Sequence, residues 1–580
     1  MTEKIETNSL FLELLCLYLH IKLTTHKLKH PIMTFSFIRK TVALMALTTL
    51  ALTATAKPKQ TPSDEVRDAM RRATEFMMEK VSYNGGFVWN YMPDFSRQWG
   101  EMEAKRTMVW IQPPGTPSVG HLLLDAYHCT GDEYYYDQAK RVANALIWGQ
   151  LPCGGWNYVF DFAGENSLKE WYSTVGKAGW RLEEFQHYYG NATYDDGGTM
   201  EAATFLLRMY VEKNDPIYRP ALEKVIHFVL ESQYPIGGWP QRYPLRYDHP
   251  FHGKPDYTSF ITLNDDVIPL IIEFLTQCYQ ALGMQNLKEP ILRAMYLIPT
   301  LQQGAPYAGW ADQYTVEDLK PAHARSYEPR AINTSTTAAM VHLLMDYYKL
   351  TADSRFLIGI PAAIDYLETL PLPKELIERG GQPARRRAAT DSDSFMTARF
   401  IHPETGEPQF VHREGTNVYN GRYFYDNQPE GTLAHYGSFT TVNPKALRVA
   451  YEAVKQIPKE ELAKDSPFLN NGLVPLKKYY TRVRPVWGMP MQQPSLERMR
   501  KLIGEMTEEG YWLTLQNQTS NPYKPCTDTT PSTTREFTST YVGDEFDTSP
   551  YTAENPVKVI SVRTYIDNMM QMIQYLDSTK

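Results

Sequence analysis

From Ser63 to about Leu370 the apolar residues recur every three or four positions, the spacing that gathers them on one face of a helix. It predicts helices in DEVRDAMRRATEFMMEKV, VGHLLLDAYHC, EYYYDQAKRVANALIWG, GTMEAATFLLRMYVEK, PIYRPALEKVIHFVLES, DDVIPLIIEFLTQCYQAL, STTAAMVHLLMDYYKLT and FLIGIPAAIDYLETL. Short polar turns such as TGD and KND join several of these into pairs. Between Arg399 and about Tyr436 the pattern changes to short strand-like runs, in RFIHPETGEPQFVHREGTNVYNGRYFYDNQ. Helical spacing returns in NPKALRVAYEAVKQI and PSLERMRKLIGEM, and TSNPYKPCTDTTPSTTREFTST reads as a polar loop.

A longer period overlies the helical one. QLPCGGW (Gln150 to Trp156) and QYPIGGW (Gln233 to Trp239) share the spacing Gln, three residues, Gly, one residue, Trp. YNGGFVWNY, around Gly85 and Gly86, and QQGAPYAGW, ending at Trp310, echo it. Phe87, Trp156, Trp239 and Trp310 lie 69, 83 and 71 residues apart. Helix pairs repeating at this distance predict an all-α fold, an α/α toroid whose repeats each lend a loop to a shared cleft, with a small β-rich insertion near that cleft. The Gly step permits a tight turn, the Trp ring closes the helix end and the Gln caps the preceding helix, so each motif staples a repeat. The second copy continues as GGWPQRYPL and then FITLNDDVIPL. Its aromatics, Arg242, Tyr243 and Tyr247, and its acidic pair, Asp265 and Asp266, resemble a carbohydrate site with a place for a cation, so Trp239 is expected at the groove.

Composition narrows the function. The chain has 580 residues, 13% aromatic and 22% charged, with 40 prolines and 39 tyrosines, which suits a large folded protein with many shaped loops. Met33 to Ala56, MTFSFIRKTVALMALTTLALTATA, has a basic start, an apolar run and a small-residue exit, and reads as a secretory signal behind an unusual leader. The expected divisions are 1–56 leader and signal, 57–455 toroid with the strand insertion near 399–436, and 456–580 a partly helical C-terminal extension. Without residues 1–56 the chain keeps 53 Lys and Arg against 63 Asp and Glu, which argues against nucleic-acid binding through bulk charge. Cys129, Cys153, Cys278 and Cys526 have no metal-type spacing, and one disulfide or free buried thiols are both open. After the signal no segment reaches the apolar length of a membrane span. A secreted or periplasmic monomer is expected.

With these motifs in place, the chain resembles the family 10 pectate lyases, the pectic acid lyase family. GGWPQRYPL, ITLNDDVIPLIIEFL and GWADQYTVEDLKPAHARSYEP carry the likeness, which extends through TPSVGHLLLDAYHCTGDEYYYDQAKRVANALIWGQLPCGGW and YDDGGTMEAATFLLRMY to ARFIHPETGEP, roughly residues 65–440. The resemblance implies β-elimination of a polygalacturonate-type acidic polysaccharide, with Ca²⁺ holding the uronate carboxylate and an arginine as base. It implies metal ligands among Asp265, Asp266 and Asp312, and substrate-binding roles for Trp239, Arg242, Tyr243, Trp310, Lys320, Arg325 and Tyr327, with Glu328 organising the same loop. The chemistry is sound on its own terms: loss of the C5 proton builds charge beside a carboxylate, so a hard cation there stabilises the transition state.

Two departures stand out. An acidic metal-ligand slot reads Thr315, with Asp312, Glu317 and Asp318 nearby, and the segment that carries the family's arginine reads QPEGTLAHYGSF. Arg413, Arg422 and His435 are the remaining candidates for the base, with Tyr436 beside the last. Three other readings compete: a glycoside hydrolase using Asp195 or Asp196 with Asp265 or Asp266, a glycan-binding relative without chemistry, and a triterpene cyclase suggested by the Gln-Trp spacing. The cyclase needs an aspartate-rich motif in an apolar cavity, and DSDS at Asp391 to Ser394 lies in a polar stretch.

Overall fold

Twelve helices carry the architecture of the computed structural model: α1 (Pro62–Phe76), α2 (Thr116–Thr130), α3 (Glu133–Gly149), α4 (Gly198–Lys213), α5 (Arg219–Glu231), α6 (Val267–Leu282), α7 (Lys288–Thr300), α8 (Thr334–Thr351), α9 (Ile360–Glu368), α10 (Pro444–Lys455), α11 (Leu496–Gly504) and α12 (Val562–Ser578). The structure describes residues 61–176, 183–246, 256–380, 393–414, 422–432, 438–470, 494–516 and 557–580, so the leader and signal, Tyr247, His435, Tyr436 and Cys526 lie outside the described residues. Val66–Lys580 form one compact unit; of the other, Met1–Glu65, only 61–65 are described.

Ten of the twelve helices fall where the apolar spacing predicts them, and asparagine, aspartate and serine caps open several: Asp132 before α3, Asn333 before α8, Asn443 before α10 and Ser561 before α12. The other two, α7 and α12, were not expected. In α7 the prolines Pro290 and Pro299 obscure the helical period. α12 buries Val562, Tyr565, Ile566, Met569, Ile573 and Leu576 along one face. It packs on α2, and Tyr565 pairs its hydroxyl with Thr74 Oγ1 of α1 at 2.9 Å. The stretch expected as a C-terminal extension therefore packs into the same helical unit, beside the first helix pair. Its strands Leu513–Gln516 and Val557–Ser561 also join the N-terminal sheet through Asn90↔Ser561. The α/α toroid is confirmed: α2 packs against α4, α4 against α6 and α8 against α10, and α2 and α4 are far more buried than α3 and α5, the helices they alternate with. The strand insertion is present as Phe395–Ala398 paired with Phe439–Val442, and as a sheet that ends in the hairpin Pro408–Glu414 with Arg422–Asp426.

The aromatic turns hold neighbouring pairs together. Gly85, Gly154, Gly237 and Gly510 all have positive φ, between +86 and +116°, and a Cβ on any of them would meet the carbonyl oxygen of Arg141, Lys224, Arg293 or Arg72 in the next outer helix at 2.4 to 3.0 Å. Both the backbone conformation and the contact require glycine. The glutamines reach forward as well as back. Gln150 Nε2 donates to Gly154 O and Ala221 O, Gln233 Nε2 to Gly237 O and Pro290 O, and Gln302 Nε2 to Ala308 O and Gly359 O, all at 2.8 to 3.1 Å. Each therefore bridges its own turn to the following outer helix, where capping of the preceding helix was expected. The indole N–H groups of Trp156, Trp239, Trp310 and Trp512 each donate, at 2.8 Å, to a carbonyl of the helix before them, Leu146, Val229, Ile298 and Leu502. Trp512 is a further copy of the turn, missed because Met506 stands where the glutamine would be.

Cys129, Cys153 and Cys278 are free thiols. Among the described residues no helix is long and apolar enough to cross a membrane.

Trp239 is fully buried, so Trp239→Ala should lower stability by about 3–5 kcal/mol, the usual cost of deleting a core tryptophan. Chemical denaturation checks this, and a variant of unchanged stability would contradict the staple role.

Candidate functional site

The loops that precede α4 and α6 occupy equivalent places in the repeat, and both carry paired acids. Tyr194-Asp195-Asp196-Gly197 enters α4, and Leu263-Asn264-Asp265-Asp266 enters α6. Asp196, Asp265 and Asp266 all have φ near +50°, a left-handed conformation that is strained for residues with a Cβ. Asp266 holds the N-cap position of α6, yet its side chain makes no cap hydrogen bond. Simple helix capping does not account for the motif.

Arg325 reaches these loops from the segment after the Gln313–Tyr314 and Pro321–Ala322 strands, with only 4% of its side chain exposed. Its guanidinium lies 2.6 Å from Asp195, 3.4 Å from Glu184, 3.3 Å from Glu328 and 3.5 Å from Asp265. Burial opposes the charge, but Asp195, Tyr327, Glu184 and Glu328 hold its pKa well above the ordinary value. An arginine held this firmly cannot act as a general base, and its role is that of a fixed cation.

One cation does not balance the acids around it. Burial works against the Asp195 charge, and Arg325, with hydrogen bonds from Tyr158 and Gln241, still holds its pKa below the usual range. For Asp196 burial and the neighbouring Asp195 charge push the pKa up to about 7, although Gln112 Nε2 donates to it at 2.6 Å. Asp265 is driven well above the carboxylate range by burial and then by Asp195 and Asp196; its side chain keeps 29% exposure, so solvent screens part of that push. Burial also raises Glu184 and Glu328. Beside the cluster, Glu183 accepts hydrogen bonds from the Ser326 N–H, at 3.0 Å, and from its hydroxyl, and burial lifts its pKa to about 8.

Among the described residues no three His, Cys, Asp or Glu side chains form a ready metal-binding group. The donors present nonetheless suit a hard cation: they are all oxygens, and Asn264 Oδ1 is buried with no hydrogen-bond partner. Asp312 is separately engaged. Asn333 Nδ2 donates to both its oxygens, at 3.0 and 2.9 Å, and Thr336 Oγ1 to one at 2.5 Å, so its carboxylate anchors the start of α8 and is not open to a metal. Thr315 sits in an exposed turn, bonded to Asp318, which also pairs with Lys320 at 2.6 Å.

The expected substrate residues divide. Trp239 and Trp310 are fully buried, and neither ring faces a groove, because each is spent on its staple. Tyr327 is buried as well, in a small core with Ala331, Phe400 and Val411. Arg242 is 1% exposed; Asn157 and Asn191 accept from it, and the rings of Tyr158 and Tyr189 lie 5.1 and 4.8 Å away, so it braces the site from within. Tyr243 is half-buried and packs edge-on against Phe228, and Lys320 is exposed. Tyr327 meets Tyr423 at 5.3 Å, and Tyr423 pairs across the hairpin with Arg413 and follows Arg422. The hairpin backbone that carries both candidate bases is thus pinned two residues from Arg325. Glu184 gave no sequence signal; it comes from the short helix Glu183–Gln186. The sequence offered Asp195 and Asp196 only as one half of a hydrolase pair with Asp265 or Asp266; their place as repeat counterparts of the Asn-Asp-Asp motif comes from the structure.

Because the folded-state pKa of Glu183 lies above its unfolded value, its contribution to stability is full below about pH 4.5 and is lost as pH rises through about 8. Glu183→Gln should therefore gain melting temperature relative to wild type as pH goes from 5 to 8. A difference that is flat with pH, or shrinks, would contradict this assignment.

Solved structures similar to the chain include a mutant of a family 10 polysaccharide lyase from Cellvibrio cellulosa in complex with trigalaturonic acid, at 16% identity and TM-score 0.37, covering 58% of this chain and 98% of that one. The GH76A alpha-1,6-mannanase from Salegentibacter sp. is similar at 10% identity and TM-score 0.34, covering 89% and 99%. An unsaturated glucuronyl hydrolase specific for heparin is similar at 9% identity and TM-score 0.35, covering 89% and 97%. Likenesses this low decide neither substrate nor reaction. A comparison with curated proteins finds no match. Residues 166–431, which supply Arg325 and every carboxyl group around it, match the pectic acid lyase family.

Proposed function

We propose that this protein is a polysaccharide lyase that cleaves a uronate-containing glycan of the pectate type by calcium-assisted β-elimination, outside the cytoplasm. The observation that carries the reading is the surplus of carboxyl groups over cations around Arg325, inside the segment that matches the pectic acid lyases. Asn264, Asp265 and Asp266 would hold the calcium ion, with Asp196 beside them. When bound, calcium supplies neutralisation of the uronate carboxylate. Arg325 fixes Asp195 and Asp265 in place, and Arg242 and its tyrosines stiffen the wall behind them. The base that takes the C5 proton lies outside the Arg325 cluster, with Arg413, Arg422 and His435 as its candidates, because Arg325 is committed to its acids.

A second reading has its own support. Asp195 is pushed down in pKa while adjacent Asp196 is pushed up to about 7, the separation of an acid from a base that glycoside hydrolysis uses.

Polygalacturonate and other uronate glycans, incubated with the protein in calcium or chelator, separate the two. Elimination predicts a chelator-sensitive rise in ultraviolet absorbance of the unsaturated product, lost in Asp265→Asn by a factor of about 10² or more. Reducing ends without absorbance would favour hydrolysis, and neither signal on any uronate glycan would overturn the lyase reading.

A further inference from the structure

Outside the carboxylate cluster, three aromatic rings and an arginine meet on the surface at the end of α3. Trp148 keeps 53% of its surface exposed, and it is the sole tryptophan among the exposed large apolar side chains of the described residues. Its orientation is fixed from behind. The ring lies 4.4 Å from Phe162 at 32° and 5.6 Å from Phe160, which is itself nearly buried. A Cβ on the following residue, Gly149, would land 2.4 Å from the Phe160 ring, so the helix end can settle onto these rings only with glycine there. Phe162 then meets Tyr83 at 5.7 Å.

Charge completes the patch. The guanidinium of Arg106 stands 5.5 Å over the Tyr83 ring and donates to the carbonyls of Lys80 and Ser82 at 3.4 Å. Arg106 and Lys80 are exposed, while Arg141 is paired with Glu79. In a chain of formal net charge −7 this sets an exposed cation at one end of a row of rings, Tyr83 and Phe162, whose other end is the flat, half-exposed Trp148. Packing alone does not call for a tryptophan whose outer half faces water. Flat indole faces stack on the C–H faces of pyranose rings, and neighbouring cations suit a sugar that carries a carboxylate.

We propose that Trp148, with Phe162, Tyr83 and Arg106, forms a second binding site for acidic polysaccharide, holding the polymer by stacking and charge without taking part in its cleavage. This rests on the reading of the protein as acting on uronate glycans. The test is retardation of the full chain in native gels containing polygalacturonate, with a neutral glycan gel as control. Trp148→Ala should bind roughly two- to tenfold more weakly than wild type, the range for one lost aromatic contact. Trp148→Tyr should keep most of the affinity. Because Trp148→Ala also removes packing from Phe160 and Phe162, Arg106→Glu, on the surface, provides an independent variant and should weaken binding as well. Wild-type retardation that neither variant changes would overturn the second site and leave the lyase reading standing. A wild type that no acidic glycan retards would overturn both.

Discussion

The turn that ends each outer helix is the constraint on which the rest of the molecule depends. A glycine in the left-handed region rests on a carbonyl of the next outer helix, a glutamine amide ties the turn to that neighbour, and a buried indole closes onto the helix just finished. No repeat can bury its apolar face alone, so these contacts set the distance from one pair to the next. They also fix which end of the ring collects the loops. The stretches entering α4 and α6 arrive side by side because Trp156 and Trp239, at the start of each, are held the same way.

What gathers there is electrostatically unfinished. Glu184, Asp195, Asp196, Asp265 and Glu328 surround a single guanidinium, and burial raises the cost of every charge that Arg325 does not meet. Such a site settles by keeping protons or by taking up another cation. The left-handed backbone at Asp196, Asp265 and Asp266 points the same way, since strain of that kind persists where the surroundings hold it in place. An acidic protein can thus receive an acidic polymer, provided the local charge is reversed at the point of contact.

Much of this was legible in the sequence, and the failures have physical causes. Helical periodicity located α4 to the residue, and the Gln-Gly-Trp spacing marked the repeat, because both follow from local geometry. The chemistry of the same motif was misread. Trp239 and Trp310 looked like platforms for sugar, but a ring that must close a helix end points inward, and spacing along a chain does not say which way a side chain faces. Asp312 looked like a ligand from its place in the Gly-Trp-Ala segment, whereas Asn333 and Thr336, 21 and 24 residues farther on, claim its oxygens. Glu184 joins Arg325 across 141 positions, a pairing that no local pattern announces. The packing of α12 on α2 was missed although its apolar face is regular, because the polar stretch before it looked like the end of the domain.

The central claim is that the loops around Arg325 form a site for a hard cation. Calorimetric titration of calcium into metal-free protein tests it most directly. The account predicts one saturable site that Asp265→Asn weakens strongly and that Asp312→Asn leaves nearly unchanged. Absence of binding, or equal binding in the Asp265→Asn variant, would contradict it.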